Sequence, residues 1–266
     1  MMLALKYLRA PWSALVLNII RWILPVLTIL PLLASAHEEP VEPEDTGPWS
    51  GEFALGYLAT DGNTDSSSLA GRLLLGYATG NWEHSTEFRG FGSSDENGTS
   101  AENYQAWWNT LYNLTERHYL YGNLEWKKNR FSGYTKQVFE TAGYGYRIFI
   151  GDTVFWDVQV GAGFSQSDKV ISTDPDPRVT EDEDNAVFTT GTSFVWNITD
   201  DSSFEQLVST NSTSDNTYWE TITRLKANVY GGVALAVGYT IQGNTDVEAD
   251  LEKTDRFTAV TLEYSF

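Results

Sequence analysis

TDRFTAVTLEYSF, residues 254–266, closes the chain on an aromatic residue. Counting back in twos from the end gives Phe266, Tyr264, Leu262, Val260 and Thr258; the positions between them are Ser265, Glu263, Thr261, Ala259 and Phe257. The first set is apolar and the second mostly small or polar. A two-residue period with one greasy face belongs to a β-strand. One strand of this kind also fits the edge of a soluble sheet, so the rest of the chain has to decide.

The same design repeats from Trp49 onward. Trp49, Gly51, Phe53, Leu55 and Tyr57 alternate with Ser50, Glu52, Ala54 and Gly56, and Leu69, Gly71, Leu73, Leu75 and Tyr77 with Ala70, Arg72, Leu74 and Gly76. Further on, Tyr104, Ala106, Trp108 and Tyr112 oppose Asn103, Gln105 and Asn109, and Val154, Trp156, Val158 and Val160 oppose Asp157, Gln159 and Gly161. About twelve segments of roughly ten residues follow this pattern, the length a tilted membrane strand needs. The weakest cover residues 82–91 and 202–210.

The connections sort by length. Short turns are expected at 79–81, 115–117, 151–153, 199–201 and 231–232, and longer polar links at 93–101, 130–135, 167–183, 211–216 and 242–253. In a meander, alternate connections lie at the same end. Short turns at one end and long loops at the other describe an outer-membrane barrel with both termini on the periplasmic side. A soluble barrel has no reason to sort its loops. Tyr77, Trp82, Tyr112, Tyr119, Phe155, Trp156, Trp196 and Tyr230 flank the short turns, where an interfacial aromatic girdle belongs. The expected fold is therefore all-β: a transmembrane up-and-down antiparallel β-barrel of about twelve strands over residues 49–266.

The start reads as an export signal. Lys6 and Arg9 precede an apolar run, 22–33, that ends in Ala34-Ser35-Ala36, a small-residue cleavage pattern. The alternative is a retained membrane helix over 14–33. Arg21, Pro25 and Pro31 interrupt that run, which favours cleavage after Ala36. Residues 37–48, HEEPVEPEDTGP, form an acidic, proline-rich stretch without period and read as a periplasmic tether. The formal charge is -19; without the three bases of the signal, 14 bases face 36 acids, net -22. Nucleic acid is excluded as a partner, since phosphate binding needs basic surface. With no cysteine there is neither a disulfide nor a thiolate metal site, and no cofactor motif is present.

A final strand with Leu262, Tyr264 and Phe266 on its outer face resembles the strand that bacterial outer-membrane barrels present to their assembly machinery. GYLATDGNTDSSSL (56–69), RFSGYTKQVFETAGYGYRIF (130–149) and DRFTAVTLEYSF (255–266) together resemble the salt-induced outer membrane protein family, a domain of unknown function. The resemblance runs over most of residues 49–266 and is weakest at 167–185 and 242–253. It implies a barrel in the outer membrane of a Gram-negative bacterium, in contact with outer-membrane lipid, and a link to salt or osmotic stress. It brings no activity and no catalytic residues.

Chemistry is sparse. A barrel hydrolase needs a nucleophile with a base, usually His. His37 lies in the tether and His118 beside a short turn; His84 shares the lipid-facing side of Trp82, while Ser85 points the opposite way. No catalytic dyad follows. The acids Asp168, Asp174, Asp176, Glu181, Asp182, Glu183 and Asp184 make divalent cations conceivable partners at the outer loops. They lack EF-hand spacing, and a solvated, self-repelling loop is the preferred reading. Asn-x-Thr triplets at Asn97, Asn113, Asn197 and Asn211 are read as chance.

The polar faces define a lumen. Its expected acids are Glu52, Glu83, Glu87, Glu125, Asp157, Glu220 and Glu263, and its bases Arg72, Arg89, Lys127, Arg147, Arg224 and Lys226. Seven against six is near balance, so the surplus acid belongs to loops and tether. About twelve strands fall between side-chain-filled eight-stranded barrels and water-filled porins of about sixteen. In so narrow a space unpaired ions lose hydration without compensation, so the charges should pair. Phe139, Trp107 and Phe155 should narrow the space further. The expected lumen is closed by Arg/Lys–Glu/Asp networks, with any weak cation preference arising at the acidic outer loops.

Overall fold

A computed structural model of the chain describes residues 47–60, 66–95, 98–130, 132–172, 178–249 and 251–266. The expected signal at 1–36, and all but the last two residues of the expected tether, lie outside the described residues. Twelve strands follow one another: β1 (Trp49–Thr60), β2 (Ser66–Thr79), β3 (Trp82–Asp95), β4 (Gly98–Asn113), β5 (His118–Asn129), β6 (Tyr134–Ile150), β7 (Val154–Ser172), β8 (Val179–Thr199), β9 (Ser202–Ser212), β10 (Thr217–Tyr230), β11 (Val233–Asn244) and β12 (Thr254–Ser265). Each pairs antiparallel with its neighbours in sequence, and β12 returns to β1 to close the barrel.

The alternation works as an inside-out sorting. Phe164 and Tyr57 are each 68 % exposed on the outer face, whereas Glu220 and Glu263 are 2 % exposed inside. A soluble protein does the reverse. A continuous outer belt of Phe, Leu, Val, Tyr and Trp far exceeds the apolar patches of soluble monomers and matches a wall that faces lipid. Closure removes the sheet edges, which the hydrocarbon interior would leave without hydrogen-bond partners.

The turn end, where both ends of the barrel lie, is tight. Gly80 and Gly231 hold φ of 56° and 54° in the β2–β3 and β10–β11 turns, a conformation that a side chain disfavours. The other end departs from expectation. The links at 93–101 and 167–183 are mostly strand: β3 runs to Asp95 and β4 starts at Gly98, while β7 runs to Ser172 and β8 starts at Val179. Strand pairing needs only backbone partners, so it continues beyond the greasy region. Outside, Asp168 stands opposite Asp182, an unfavourable pairing eased by Lys136 at 3.9 Å from Asp168. Inside, Lys169 reaches Glu183 at 3.6 Å and also bonds Asp246 in the β11–β12 loop. The asymmetry between the ends thus lies in strand height as much as in loop length.

The aromatic girdle needs a second correction. Trp82 and Trp196 are exposed on the outer face at the turn end, but Tyr119 is 1 % exposed and donates its hydroxyl to Asp157 at 2.8 Å inside. Phe155 was expected both in the girdle and in the lumen, and it shares the inward register of Asp157, so the lumen placement holds. Tyr119 lies beside a turn and counts as interfacial by sequence position; alternation along β5 places it in the lumen.

Candidate functional site in the barrel lumen

Register assembles the lumen charges. Arg72 on β2 stands directly opposite Arg89 on β3, and two guanidinium groups side by side repel. Glu87 resolves this by accepting from both, with Arg72 Nε at 2.8 Å. Arg72 also bonds Glu52 on β1. From β10, Arg224 donates to Glu205 at 2.8 Å, to both oxygens of Glu263 at 2.6 Å and to Glu52 at 3.2 Å. Lys226 adds contacts of 2.8 Å to Glu52 and 3.5 Å to Glu263. Reaching β12 and β1 from β10 means crossing β11. Inward positions there are Ala234, Ala236 and Gly238, and the two alanines are 1 % exposed beneath the crossing side chains. Small residues on β11 are what let this network close.

Arg89 extends the chain to Glu220 at 3.9 Å and lies 4.2 Å from the centroid of the Trp107 ring. A second layer begins there. Gln105 Nε2 donates to Glu220 at 3.1 Å and to Gln242 at 3.3 Å, and the Tyr218 hydroxyl donates to the same two acceptors, each at 3.3 Å. Strands β4 and β10 are half the barrel's circumference apart, so Gln105–Glu220 spans the lumen. Lys127 sits 2.7 Å from Glu125 with its ammonium 3.4 Å from the Tyr218 ring centroid and 5.4 Å from that of Phe139. Asn211 donates to Glu125 at 3.3 Å. Phe139, Tyr218 and Lys127 are all buried.

The expected residues therefore divide into three sets. Glu52, Arg72, Glu87, Arg89, Glu220, Arg224 and Lys226 form one continuous network that also includes Glu263. Glu125 and Lys127 form a separate pair beside it. Arg147 stands apart near the turn end, 3.3 Å from Glu83, 2.8 Å from Asn113 and 5.0 Å from the Tyr119 ring. Leu262, Tyr264 and Phe266 lie on the outer face, each more than half exposed. Phe266 exchanges backbone hydrogen bonds of 2.8 and 2.9 Å with Gly51, and its ring lies over that glycine, so the last residue helps close the seam.

Glu205 belongs to the network and was absent from the expected set. It sits on β9, whose apolar face is weak, although Ser203, Glu205, Leu207 and Ser209 alternate in phase and carry the signal. Gln105, Gln242 and Tyr218 carry no charge, so a balance of charges along the strands does not reveal them, although each is buried or hydrogen-bonded inside. Among the cavities, one of about 140 Å³ toward the loop end and one of about 240 Å³ toward the turn end are both lined by Arg89, and a wider one of about 360 Å³ lies at the turn-end mouth. Among the described residues no three acidic or histidine side chains converge as metal ligands; Asp174 and Asp176 lie outside the described residues. His84 bonds Thr110 at 2.7 Å on the outer face and stacks on Trp82, and His118 meets Tyr144.

Against known proteins, the chain is 30% identical over 227 residues to the uncharacterized protein YdiY of Escherichia coli (strain K12), covering 82% of this chain and 83% of that protein. Among solved structures it is similar to the NanC porin, at 9% identity and a TM-score of 0.46, covering 82% of this chain and 97% of that one. It is also similar to an outer membrane channel from Pseudomonas putida F1, at 12% identity and a TM-score of 0.46, covering 85% and 98%. Likenesses this distant assign no cargo and no activity. The family described as protein of unknown function, DUF481, matches residues 53–266, and the chain belongs to that family.

Proposed function

We propose that this chain is a non-enzymatic outer-membrane barrel of a Gram-negative bacterium, exported through a cleaved signal peptide, whose lumen is closed to ions and solutes. One observation carries the reading: the hydrogen-bonded span from Gln105 to Glu220 across the lumen, packed against buried Tyr218, Phe139 and Lys127. A passing ion would have to displace side chains whose buried charges are already paired, and breaking such a pair one-sidedly costs about 3–5 kcal/mol. The outward, stacked placement of His84 supports the absence of hydrolytic chemistry. Resemblance of three motifs to a salt-induced family is the basis for a link to salt or osmotic stress, which transcript levels across a salt upshift would test. Proteoliposomes loaded with a potassium dye or a small sugar test closure: leakage should equal that of protein-free liposomes, and rapid efflux would end this reading.

A small, weakly cation-selective channel is the second reading. It is supported by the two cavities on either side of Arg89, which would join if that guanidinium swung aside.

A further inference from the structure

The lumen is unevenly filled. Inward positions on four neighbouring strands are small over one stretch: Ala54 on β1, Ala70 on β2, Gly238 on β11 and Ala259 on β12. The cavity of about 140 Å³ exists because these side chains stop short. Phe91 and Phe257 cap it on the loop side, ring centroids 4.9 Å apart and edge-on. Its floor is the charged network, and there every ionic group already has a partner: Arg72 and Arg89 share Glu87, Arg224 holds Glu263, and Glu220 accepts from Gln105. A charged occupant would have to break those pairs. An apolar one completes the packing, and the two Phe rings favour an aromatic guest. Asn103, Gln105, Thr240, Gln242 and Thr261 also border the cavity, but its exposed surface is mostly apolar, and an apolar cavity of about 150 Å³ accepts a molecule of benzene size.

The same region holds the weakest seam of the wall. β1 pairs with β2 as far as Thr60↔Ser66, and β11 with β12 as far as Gly243↔Thr254. Among the described residues, the β1–β12 seam is paired over Glu52–Leu55 against Leu262–Ser265, extended at the turn end by the Gly51–Phe266 backbone pair. One step beyond, at Gly56, the pairing has stopped, although the strands still touch: a Cβ there would lie 2.3 Å from the Val260 carbonyl oxygen. Next to this point Tyr57 and Val260 are exposed to lipid, while Ala259 and Thr261 line the cavity. Segments with few ladder bonds open locally at low cost.

We propose that the cavity binds a small uncharged aromatic molecule, which enters from the loop-end half of the bilayer between β1 and β12. This goes beyond the closed-lumen reading and is separable from it, because binding from the lipid side leaves ion conductance at zero.

The test uses the mature protein in lipid nanodiscs, with fluorobenzene as probe followed by ¹⁹F NMR against empty discs. Saturable binding above the lipid background is expected; partitioning equal to empty discs overturns the proposal. Ala259→Phe fills the cavity and should weaken binding at least tenfold. Phe257→Ala enlarges it and should shift preference toward naphthalene, which keeps the test decisive if the first variant folds poorly on a heat-modifiability gel. Unchanged affinity and preference in both variants would overturn the site. Because the chain has no cysteine, Tyr57→Cys/Val260→Cys can be joined with a bis-maleimide. Joining should slow probe exchange at least tenfold with affinity unchanged; exchange at the wild-type rate would overturn the route.

Discussion

Arg224→Met tests whether the lumen network stabilises the barrel or merely decorates it. The substitution keeps the length of the apolar stem and removes the guanidinium that joins Glu205, Glu52 and Glu263. Glu263 is 2 % exposed, so it cannot recover hydration when its partner goes. One-sided loss of a buried pair costs about 3–5 kcal/mol. Lys226 remains 3.5 Å from Glu263, which places the expected loss at the lower end, about 3 kcal/mol, or roughly a hundredfold in the unfolding equilibrium. For a domain of this size each kcal/mol moves the midpoint by about 2–4 °C, so a drop of about 6–12 °C is expected. The assay is the temperature at which the compact band on a gel converts to the unfolded one. Arg224→Met/Glu263→Gln should recover at least half of the drop, because it removes the most deeply buried stranded carboxylate, while Glu52 keeps Arg72 and Lys226 and Glu205 is partly exposed to solvent. A single variant indistinguishable from wild type, or a double variant no better than the single, would refute the reasoning.

Deleting residues 264–266, or Phe266→Asp, should leave exported protein unfolded in the periplasm, because both remove the apolar end of β12 that seals against Gly51; normal outer-membrane levels of either would count against this. Gly163→Ala should destabilise the barrel by about 1–3 kcal/mol, since the added Cβ would lie 1.8 Å from the Glu140 carbonyl oxygen and backbone cannot step aside. Gly71→Ala meets nothing within 4 Å and should be neutral, so equal gel midpoints for the two variants would contradict the packing described for β6 and β7. Lys127→Met should not open the lumen, because Phe139 and Tyr218 still fill it; ion leakage from liposomes carrying that variant would show that the charge, not the aromatics, does the closing.

The wall of this barrel is written locally and its interior is not. Every strand shows its period in consecutive residues, and even β3 and β9, the faintest, alternate enough to be placed. Where strands stop was hidden at 167–183, because alternation shows which way side chains point and says nothing about where backbone pairing ends. Tyr119 departs from its expected place for a related reason: nearness to a turn mimics nearness to the interface, whereas steps of two along Tyr121, Asn123 and Glu125 put it inside. Which inward residues meet depends on tilt, stagger and diameter, none of which the sequence states. Gln105 and Glu220 are 115 positions apart and touch only because β4 and β10 face each other. The short β1–β12 seam was equally invisible, since each strand alone has the pattern of a full-length partner.

Closure of the lumen is tested most directly by single-channel recording of the purified, folded protein in a planar bilayer. The account predicts a baseline indistinguishable from the bare membrane, with at most rare events far below porin conductance, in low and high potassium chloride alike. Large, steady steps that grow in proportion to salt would contradict it and make the channel reading the right one.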